Sequence, residues 1–190
     1  MRYAAVVLGA SFGGLQALSR VLAPLPSVFP LPLMVVQHRP PSAETLLASL
    51  LDRDTALRVK DAEDKEQPQA GVVYIAPANY HLLVEPTASL ALSVDAKVCY
   101  SRPSVDVLFH SAAECYRQRL LAVLLTGANH DGASGMCRVR ALGGYTLAQC
   151  PEGAVAATMP QTAITMGGVD EILSLEAIAA RLITLAAELS

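Results

Sequence analysis

The 190-residue sequence has no tryptophan, few charged side chains and no run of basic residues. Charged residues make up only 16% of the chain, and the formal net charge is −3. Because nucleic-acid binding depends on clustered lysine and arginine, this composition argues against a nucleic-acid partner. No apolar run approaches the ~20 residues of a membrane-spanning helix, and no signal peptide precedes the first strand pattern. We therefore expect a cytoplasmic protein that is not embedded in a membrane.

The four cysteines lack the C-x-x-C spacing that is typical of zinc sites and redox motifs. They stand at positions 99, 115, 137 and 150, far apart in sequence. A disulfide framework is not expected, and reduced, partly buried thiols are the simplest interpretation. The sequence thus predicts neither a metal site nor a cofactor.

Hydrophobic residues make up 53% of the chain, and strand patterns alternate with helix patterns along most of it. Strands are predicted at 4–8, 33–36, 57–60, 72–76, 120–125, 145–149 and 171–173, and a β-hairpin at 81–85 and 90–94. Helices are predicted at 15–22, after an N-cap at Ser42, at 105–118 with Ser104 as N-cap, at 133–141, in a stretch broken near Pro160, and at 175–189. The helix after Ser42 is expected to bury an apolar face of Leu46, Leu47, Leu50 and Leu51. This alternation predicts one domain over residues 1–190, with an α/β fold. The expected architecture is a doubly wound, mostly parallel sheet (three-layer, Rossmann-like) with an added antiparallel β-hairpin.

The segment Gly9–Gly14 joins the first strand to the first helix. Its Gly-x-Ser-x-Gly pattern matches a nucleophile elbow, in which a strand-to-helix turn exposes a serine hydroxyl. The same residues resemble a glycine-rich phosphate loop at a helix N-terminus. A third interpretation is a first βα turn whose glycines serve backbone geometry alone.

Three predicted strands end in residues that suit acyl transfer: Ser11, His38 and Asp131. Ligands of parallel sheets bind beyond the carboxyl ends of the strands, so these side chains are expected to share one crevice. A neutral imidazole can take the proton of a serine, and a buried carboxylate can orient that imidazole. The residues therefore predict a serine hydrolase with Ser11 as nucleophile, His38 as base and Asp131 as orienting acid.

Each of these residues also has a purely structural interpretation. Ser11 could cap the following helix, His38 could be a solvated residue at a strand end, and Asp131 could form an Asx turn or cap a helix. His130 is a rival base, but adjacent side chains seldom point at one target, which favours His38. The remaining histidines, at positions 81 and 110, are interpreted as structural.

Several segments, taken in order, resemble the catalytic domain of the chemotaxis protein-glutamate methylesterases (CheB). The segment 9–14 resembles the family's nucleophile loop and 36–38 its histidine strand end. The segment 102–109 is similar to its central signature, 126–132 to its aspartate loop, and 159–160 with 166–169 to its closing segment. The resemblance extends from residue 5 to about residue 175.

This resemblance implies hydrolysis of γ-glutamyl methyl esters on chemoreceptor helices, with release of methanol. It also implies deamidation of receptor glutamines and gives Ser11, His38 and Asp131 the catalytic roles proposed above. We expect the oxyanion to be held by the backbone N–H of Phe12 and a second donor near Ala128. Arg102 either orients the substrate helix or forms a structural ion pair with Asp106 or another carboxylate. We expect a monomer.

The chain departs from the family pattern in two places. The family usually carries an N-terminal receiver domain, whereas here Met1 stands ten residues before Ser11. Phosphorylation control within the chain is therefore not expected, and a separate response regulator would have to supply it. In the aspartate loop, Asn129 replaces a glycine, which leaves the loop conformation open.

Two other functions remain as alternatives. A nucleotide-binding domain could use Gly9–Gly14 as a phosphate loop, but an acidic residue is expected at the end of the second strand, where His38 stands. A non-catalytic receptor-binding module would keep the fold without the chemistry.

Overall fold

The computed structural model describes residues 2–39 and 46–188. Its strands are β1 (Ala5–Ala10), β2 (Leu33–Gln37), β3 (Arg58–Asp61), β4 (Val72–Ile75), β5 (His81–Val84), β6 (Leu90–Ser93), β7 (Leu120–Leu124), β8 (Tyr145–Gln149) and β9 (Glu171–Leu173). Its helices are α1 (Gly14–Leu22), α2 (Leu46–Asp54), α3 (Val105–Tyr116), α4 (Ala133–Ala141), α5 (Thr158–Thr165) and α6 (Leu175–Ala187). No described helix is long and apolar enough to cross a membrane.

Seven strands form one parallel sheet in the order β3-β4-β2-β1-β7-β8-β9, and β5 and β6 form a separate antiparallel hairpin. The predicted doubly wound, mostly parallel sheet with an added hairpin is confirmed. The chain leaves β1 toward β2 on one side and later returns to β7 on the other. The carboxyl end of β1 therefore lies at the point where strand order reverses, which is where such sheets bind ligands.

Alternating side chains of β1 enter different cores on the two faces of the sheet. Val6 and Leu8 pack with α1, α2 and α6, whereas Ala5 and Val7 pack with the hairpin, α3, α4 and α5. A strand that is buried on both faces has a continuous run of apolar residues, and such runs allow β1 and β7 to be predicted from the sequence.

Two local predictions were wrong. Pro160 does not break a helix but lies in the first turn of α5, where its missing N–H would have no partner within the helix. Helix α2 was expected to bury four leucines, but Leu46 and Leu50 are 58% and 39% exposed, and Leu51 and Ala48 are the buried residues. The predicted N-cap Ser42 lies outside the described residues.

Candidate active site

Strand register brings Ser11 and His38 side by side. In the parallel ladder, Ala10 of β1 is opposite Gln37 of β2, so the next residue on each strand leaves the sheet at the same level. The ladder continues one step further, because the His38 N–H donates to the Ala10 carbonyl at 3.0 Å. The neighbouring strand β7 approaches from the other side, where the Ser11 N–H donates to the Thr126 carbonyl at 2.9 Å.

The three predicted side chains meet in one hydrogen-bonded row. His38 Nδ1 lies 3.2 Å from Ser11 Oγ, and His38 Nε2 lies 2.7 Å from Asp131 Oδ2. The His38 side chain is 11% exposed and that of Asp131 is fully buried. Since a carboxylate only accepts hydrogen bonds, Nε2 carries the proton and Nδ1 presents a lone pair to the serine hydroxyl. This arrangement fits proton transfer from Ser11 to His38.

The Asp131 carboxylate is held by the N-terminus of α3. Its Oδ1 accepts hydrogen bonds from Ser104 Oγ at 2.8 Å and the Asp106 N–H at 2.9 Å, and its Oδ2 accepts one from the Val105 N–H at 2.8 Å. Burial is the largest influence on Asp131 and would raise its pKa. The hydrogen bonds from His38 and from the backbone outweigh burial, so the pKa of Asp131 is lowered from its usual value.

The purely structural interpretations of Ser11 and Asp131 do not match the geometry. Helix α1 is capped by Gly13 and α4 by Gly132, and neither cap uses a side chain. The Asp131 carboxylate instead contacts α3, which lies far from it in sequence. Its own N–H donates to Asn129 Oδ1 at 3.1 Å, so the Asx turn in this loop belongs to Asn129.

Asn129 does not need the backbone freedom of the glycine that it replaces. It is not among the non-glycine residues with positive φ in the described ranges. The loop therefore keeps Asp131 in place with an L-residue at this position, and the asparagine side chain adds a hydrogen bond that glycine could not make.

The nucleophile loop is fixed by side chains that the sequence did not single out. Gln37 Nε2 donates to the Ser11 carbonyl at 2.8 Å and to the His38 carbonyl at 2.9 Å, which ties the two strand ends together. From β7, Thr126 Oγ1 donates to the Phe12 carbonyl at 2.9 Å. Glutamine and threonine at strand ends are ordinary, so only their spatial neighbours reveal this role.

A second layer of support comes from the hairpin. The buried His81 in β5 accepts a hydrogen bond from the Ser104 N–H through Nδ1 at 3.2 Å, and its Nε2 lies 3.0 Å from the Ala96 carbonyl. His81 is thus structural, as predicted, but it supports the residue whose hydroxyl contacts Asp131. Ser104 is the N-cap of α3, as predicted, and the hydrogen bond to Asp131 is its additional contact.

The N–H groups of both predicted oxyanion donors have no hydrogen-bond partner in the described part of the chain. Among the hydrogen bonds of the described residues, neither Phe12 nor Ala128 donates from its backbone nitrogen. Gly127, just before Ala128, lies against the nucleophile, because a Cβ added there would lie 2.9 Å from Ser11 Cβ. An open groove of about 510 Å³ lies beside Ser11 and Phe12 and is also lined by Gly13, His38 and Val155, among others, but not by Ala128.

The other candidate side chains form no hydrogen bond with Ser11, His38 or Asp131 among the described residues. His130 is 3.5 Å from Cys99 Sγ, and His110 is 3.1 Å from Ser134 Oγ. Arg102 does not form the ion pair with Asp106 that was one of its two interpretations. Its guanidinium donates instead to Asn79 Oδ1 and to two backbone carbonyls, while Asp106 accepts the Gly135 N–H at 2.7 Å.

One group of potential metal ligands adjoins the site. Cys99, Asp106 and Asp131 place ligand atoms within 4.8 Å of one another. Both Asp131 oxygens already accept two hydrogen bonds each, so a metal ion would have to displace donors that position the carboxylate. Burial, followed by the two nearby carboxylates, raises the pKa of Cys99, which disfavours its thiolate.

Comparison with known proteins identifies the family of this chain. Residues 6–182 match the family model described as CheB methylesterase. A protein of Leptospira interrogans is 42% identical over 179 residues, which cover 94% of this chain and 93% of that protein. A Pseudomonas aeruginosa protein-glutamate methylesterase/protein-glutamine glutaminase is 41% identical over 185 residues, which cover 96% of this chain but only 53% of that protein.

The solved structures include a close match. The Thermotoga maritima CheB methylesterase catalytic domain superimposes with a TM-score of 0.91 at 38% identity, and the match covers 97% of this chain and 100% of that one. The fold, the sequence match and the names of the relatives all indicate the same class of esterase. The chain therefore belongs to the CheB methylesterase family, whose members are protein-glutamate methylesterases.

Proposed function

We propose that the protein hydrolyses γ-glutamyl methyl esters on the cytoplasmic helices of methyl-accepting chemotaxis receptors and releases methanol. The observation that carries the proposal is the row Ser11–His38–Asp131, with contacts of 3.2 and 2.7 Å at the mouth of an open groove. A relative from Myxococcus xanthus, 41% identical over 180 residues, is named protein-glutamate methylesterase FrzG, which supports a role in receptor demethylation. We place the protein in the cytoplasm as a monomer.

The first chemical step is acylation of the serine. Ser11 Oγ attacks the ester carbonyl while its proton moves to His38 Nδ1, and Asp131 stabilises the imidazolium through Nε2–H. The tetrahedral oxyanion is held by the N–H groups of Phe12 and Ala128. Each such donor is typically worth a factor of about 100 to 1000 in turnover.

The second step restores the enzyme. The imidazolium gives its proton to the departing methoxide, so methanol leaves and the glutamyl group stays bonded to Ser11. His38 then takes a proton from water while the hydroxide attacks the acyl carbonyl. The tetrahedral intermediate collapses by breaking the bond to Ser11 Oγ, which takes the proton back from His38 Nδ1, and the free glutamate carboxyl is released. A receptor glutamine would follow the same path with ammonia as the leaving group, in line with the glutaminase part of the relatives' names.

The test is methanol release from a methylated receptor fragment. Ser11→Ala and His38→Ala should each lower turnover by a factor on the order of 10⁴ or more, as in other serine hydrolases. Thr184→Ala is the matched control and should keep full activity, because it removes an exposed hydroxyl of α6 that bonds to the Ala180 carbonyl of the same helix. Full methanol release by Ser11→Ala would refute the mechanism and favour the non-catalytic receptor-binding module instead.

A further inference from the structure

A smaller pocket of about 230 Å³ lies on the other side of His38 from the groove. It is rich in basic side chains: Arg39, Lys97 and Arg102 line it together with His38, Tyr100, Ser101 and Pro103. His38 lines both the groove and this pocket, so a group bound in the pocket would lie next to the reacting ester.

Arg39 is the most unusual residue of the pocket. Its side chain is only 8% exposed, and its one carboxylate partner, Asp61, is at the long distance of 3.5 Å. Nη2 donates to the Ala76 carbonyl at 2.9 Å, whereas the buried Nε and Nη1 have no hydrogen-bond partner among the described residues. A buried guanidinium with unused donors is costly, because those donors have lost water without gaining an acceptor.

The other two cations have no carboxylate partner among the described residues. Within these residues, Arg102 donates to neutral oxygens, from the Asn79 side chain and the backbone carbonyls of Val94 and Asp95. Lys97 forms no ion pair with any described residue. Three cations thus line one pocket of a chain whose net charge is −3, and among the described residues only Asp61, 3.5 Å from Arg39, forms an ion pair with any of them. The nearby Asp131 carboxylate is already occupied by donors from His38 and the start of α3.

We propose that this pocket is a specificity subsite for a carboxylate of the substrate, namely an acidic side chain close to the glutamyl methyl ester. The inference rests on the proposed esterase function and adds a preference to it. Guanidinium groups bind carboxylates with paired, charge-assisted hydrogen bonds, which are stronger than neutral ones. On a helical substrate, side chains three or four residues apart are about 5–6 Å from each other, a separation that suits two adjoining sites.

The experiment compares helical peptides that carry one glutamyl methyl ester and either Glu or Gln at a single neighbouring position. The positions tested are one, three and four residues to either side of the ester. For wild type we expect kcat/KM to be about 10- to 100-fold higher with Glu at the best position, the range that corresponds to one hydrogen bond to a charged group. Raising the salt concentration should reduce this preference.

Two variants and one control assign the preference to the pocket. Lys97→Gln and Arg39→Gln should each reduce the Glu-to-Gln ratio to about 2-fold or less. Arg2→Gln removes one positive charge at the opposite end of β1 and should retain the wild-type ratio. If Arg39→Gln does not fold, Lys97→Gln decides alone. Equal kcat/KM values for all Glu and Gln peptides with wild type, or equal ratios in wild type and Lys97→Gln, would overturn the proposal.

A failure of the esterase function would be visible separately. In that case no peptide releases methanol, and the subsite is tested by calorimetric binding of the unesterified peptides. Tighter binding of the Glu peptide by wild type than by Lys97→Gln would support the subsite. Equal binding of the Glu and Gln peptides by wild type would refute it.

Discussion

His38 presents Nδ1, not Nε2, to the Ser11 hydroxyl. The distance from Nδ1 to Oγ is 3.2 Å, and Nε2 is turned inward to the buried Asp131 at 2.7 Å. In the protease form of the Ser-His-Asp site the two nitrogens are used in the opposite sense. The chemistry is the same, because either ring nitrogen can act as donor or acceptor. The difference is that the imidazole ring is turned so that Nδ1 faces the serine and Nε2 faces the aspartate.

This orientation predicts the tautomer of two histidines. In its neutral form, His38 should carry its ring proton on Nε2, because this nitrogen donates to the Asp131 carboxylate. Neutral His81 should also carry its proton on Nε2, because its Nδ1 accepts the Ser104 N–H. Nitrogen NMR of histidine-labelled protein distinguishes a protonated from an unprotonated ring nitrogen at each site. Assignments come from His38→Ala and His81→Ala spectra. A neutral His38 protonated at Nδ1 would contradict the proposed base.

Ser104 should matter for both stability and catalysis, because one hydroxyl caps α3 and also donates to Asp131. Ser104→Ala should lower the free energy of unfolding by about 1–2 kcal/mol and kcat by about 10-fold. Urea unfolding and methanol release measure the two effects.

Ser174→Ala is the matched control, since Ser174 caps α6 through the Ala177 N–H and has no contact with the site. Its unfolding free energy should fall by about 1 kcal/mol with no change in kcat. If both variants lose the same stability and neither loses activity, the contact between Ser104 and Asp131 has no catalytic value.

The sequence revealed the sheet and the three central residues for a physical reason. Strands buried on both faces are continuous apolar runs. Ser11 and His38 follow such runs directly, and Asp131 lies in the loop between β7 and α4. The supporting contacts could not be predicted, since they depend on tertiary placement. Ser104 meets Asp131 across 27 positions of chain, and His81 reaches Ser104 only because the hairpin packs on α3.

The two wrong local predictions have the same origin. Helical periodicity marks which leucines of α2 share a face, but not how much of that face its neighbours cover, and Leu46 remains 58% exposed. The tendency of proline to break helices holds in a helix interior. It does not apply to Pro160, because α5 begins just before it. The sequence alone does not locate the start of α5 closely enough to tell whether Pro160 lies in its first turn or in its interior.

Gly13 should not tolerate a side chain. Its φ is +78°, and an added Cβ would lie 2.6 Å from Val155 Cβ. Gly13→Ala should therefore cost about 2 kcal/mol or more of unfolding free energy, and it should lower kcat by displacing the neighbouring Phe12 N–H. Gly153→Ala is the control, because no atom lies within 4 Å of its added Cβ, and its stability should change by less than about 0.5 kcal/mol. Equal unfolding free energies of the two variants would show that the turn at Gly13 accommodates a side chain without a loss of stability.

Asp131→Asn should remove activity and make stability depend differently on pH. All four groups that contact the carboxylate are donors, so an asparagine would direct its own N–H₂ group at one of them. At pH 7 we expect a loss of about 3 kcal/mol in unfolding free energy and a fall in kcat on the order of 10³- to 10⁴-fold.

The sign of the pH effect follows from the lowered pKa of Asp131. The folded protein holds the ionised form more tightly than the unfolded chain, so the stabilisation is complete above the unfolded pKa of about 3.9. It is lost as pH falls through the folded pKa, and the stability difference between wild type and Asp131→Asn should shrink there. Asp170→Asn is the control, since Asp170 also has a lowered pKa but pairs with Arg140 away from the site. It should retain kcat. A difference between wild type and Asp131→Asn that stays constant from pH 7 to pH 3 would show that the buried carboxylate is not held as an anion.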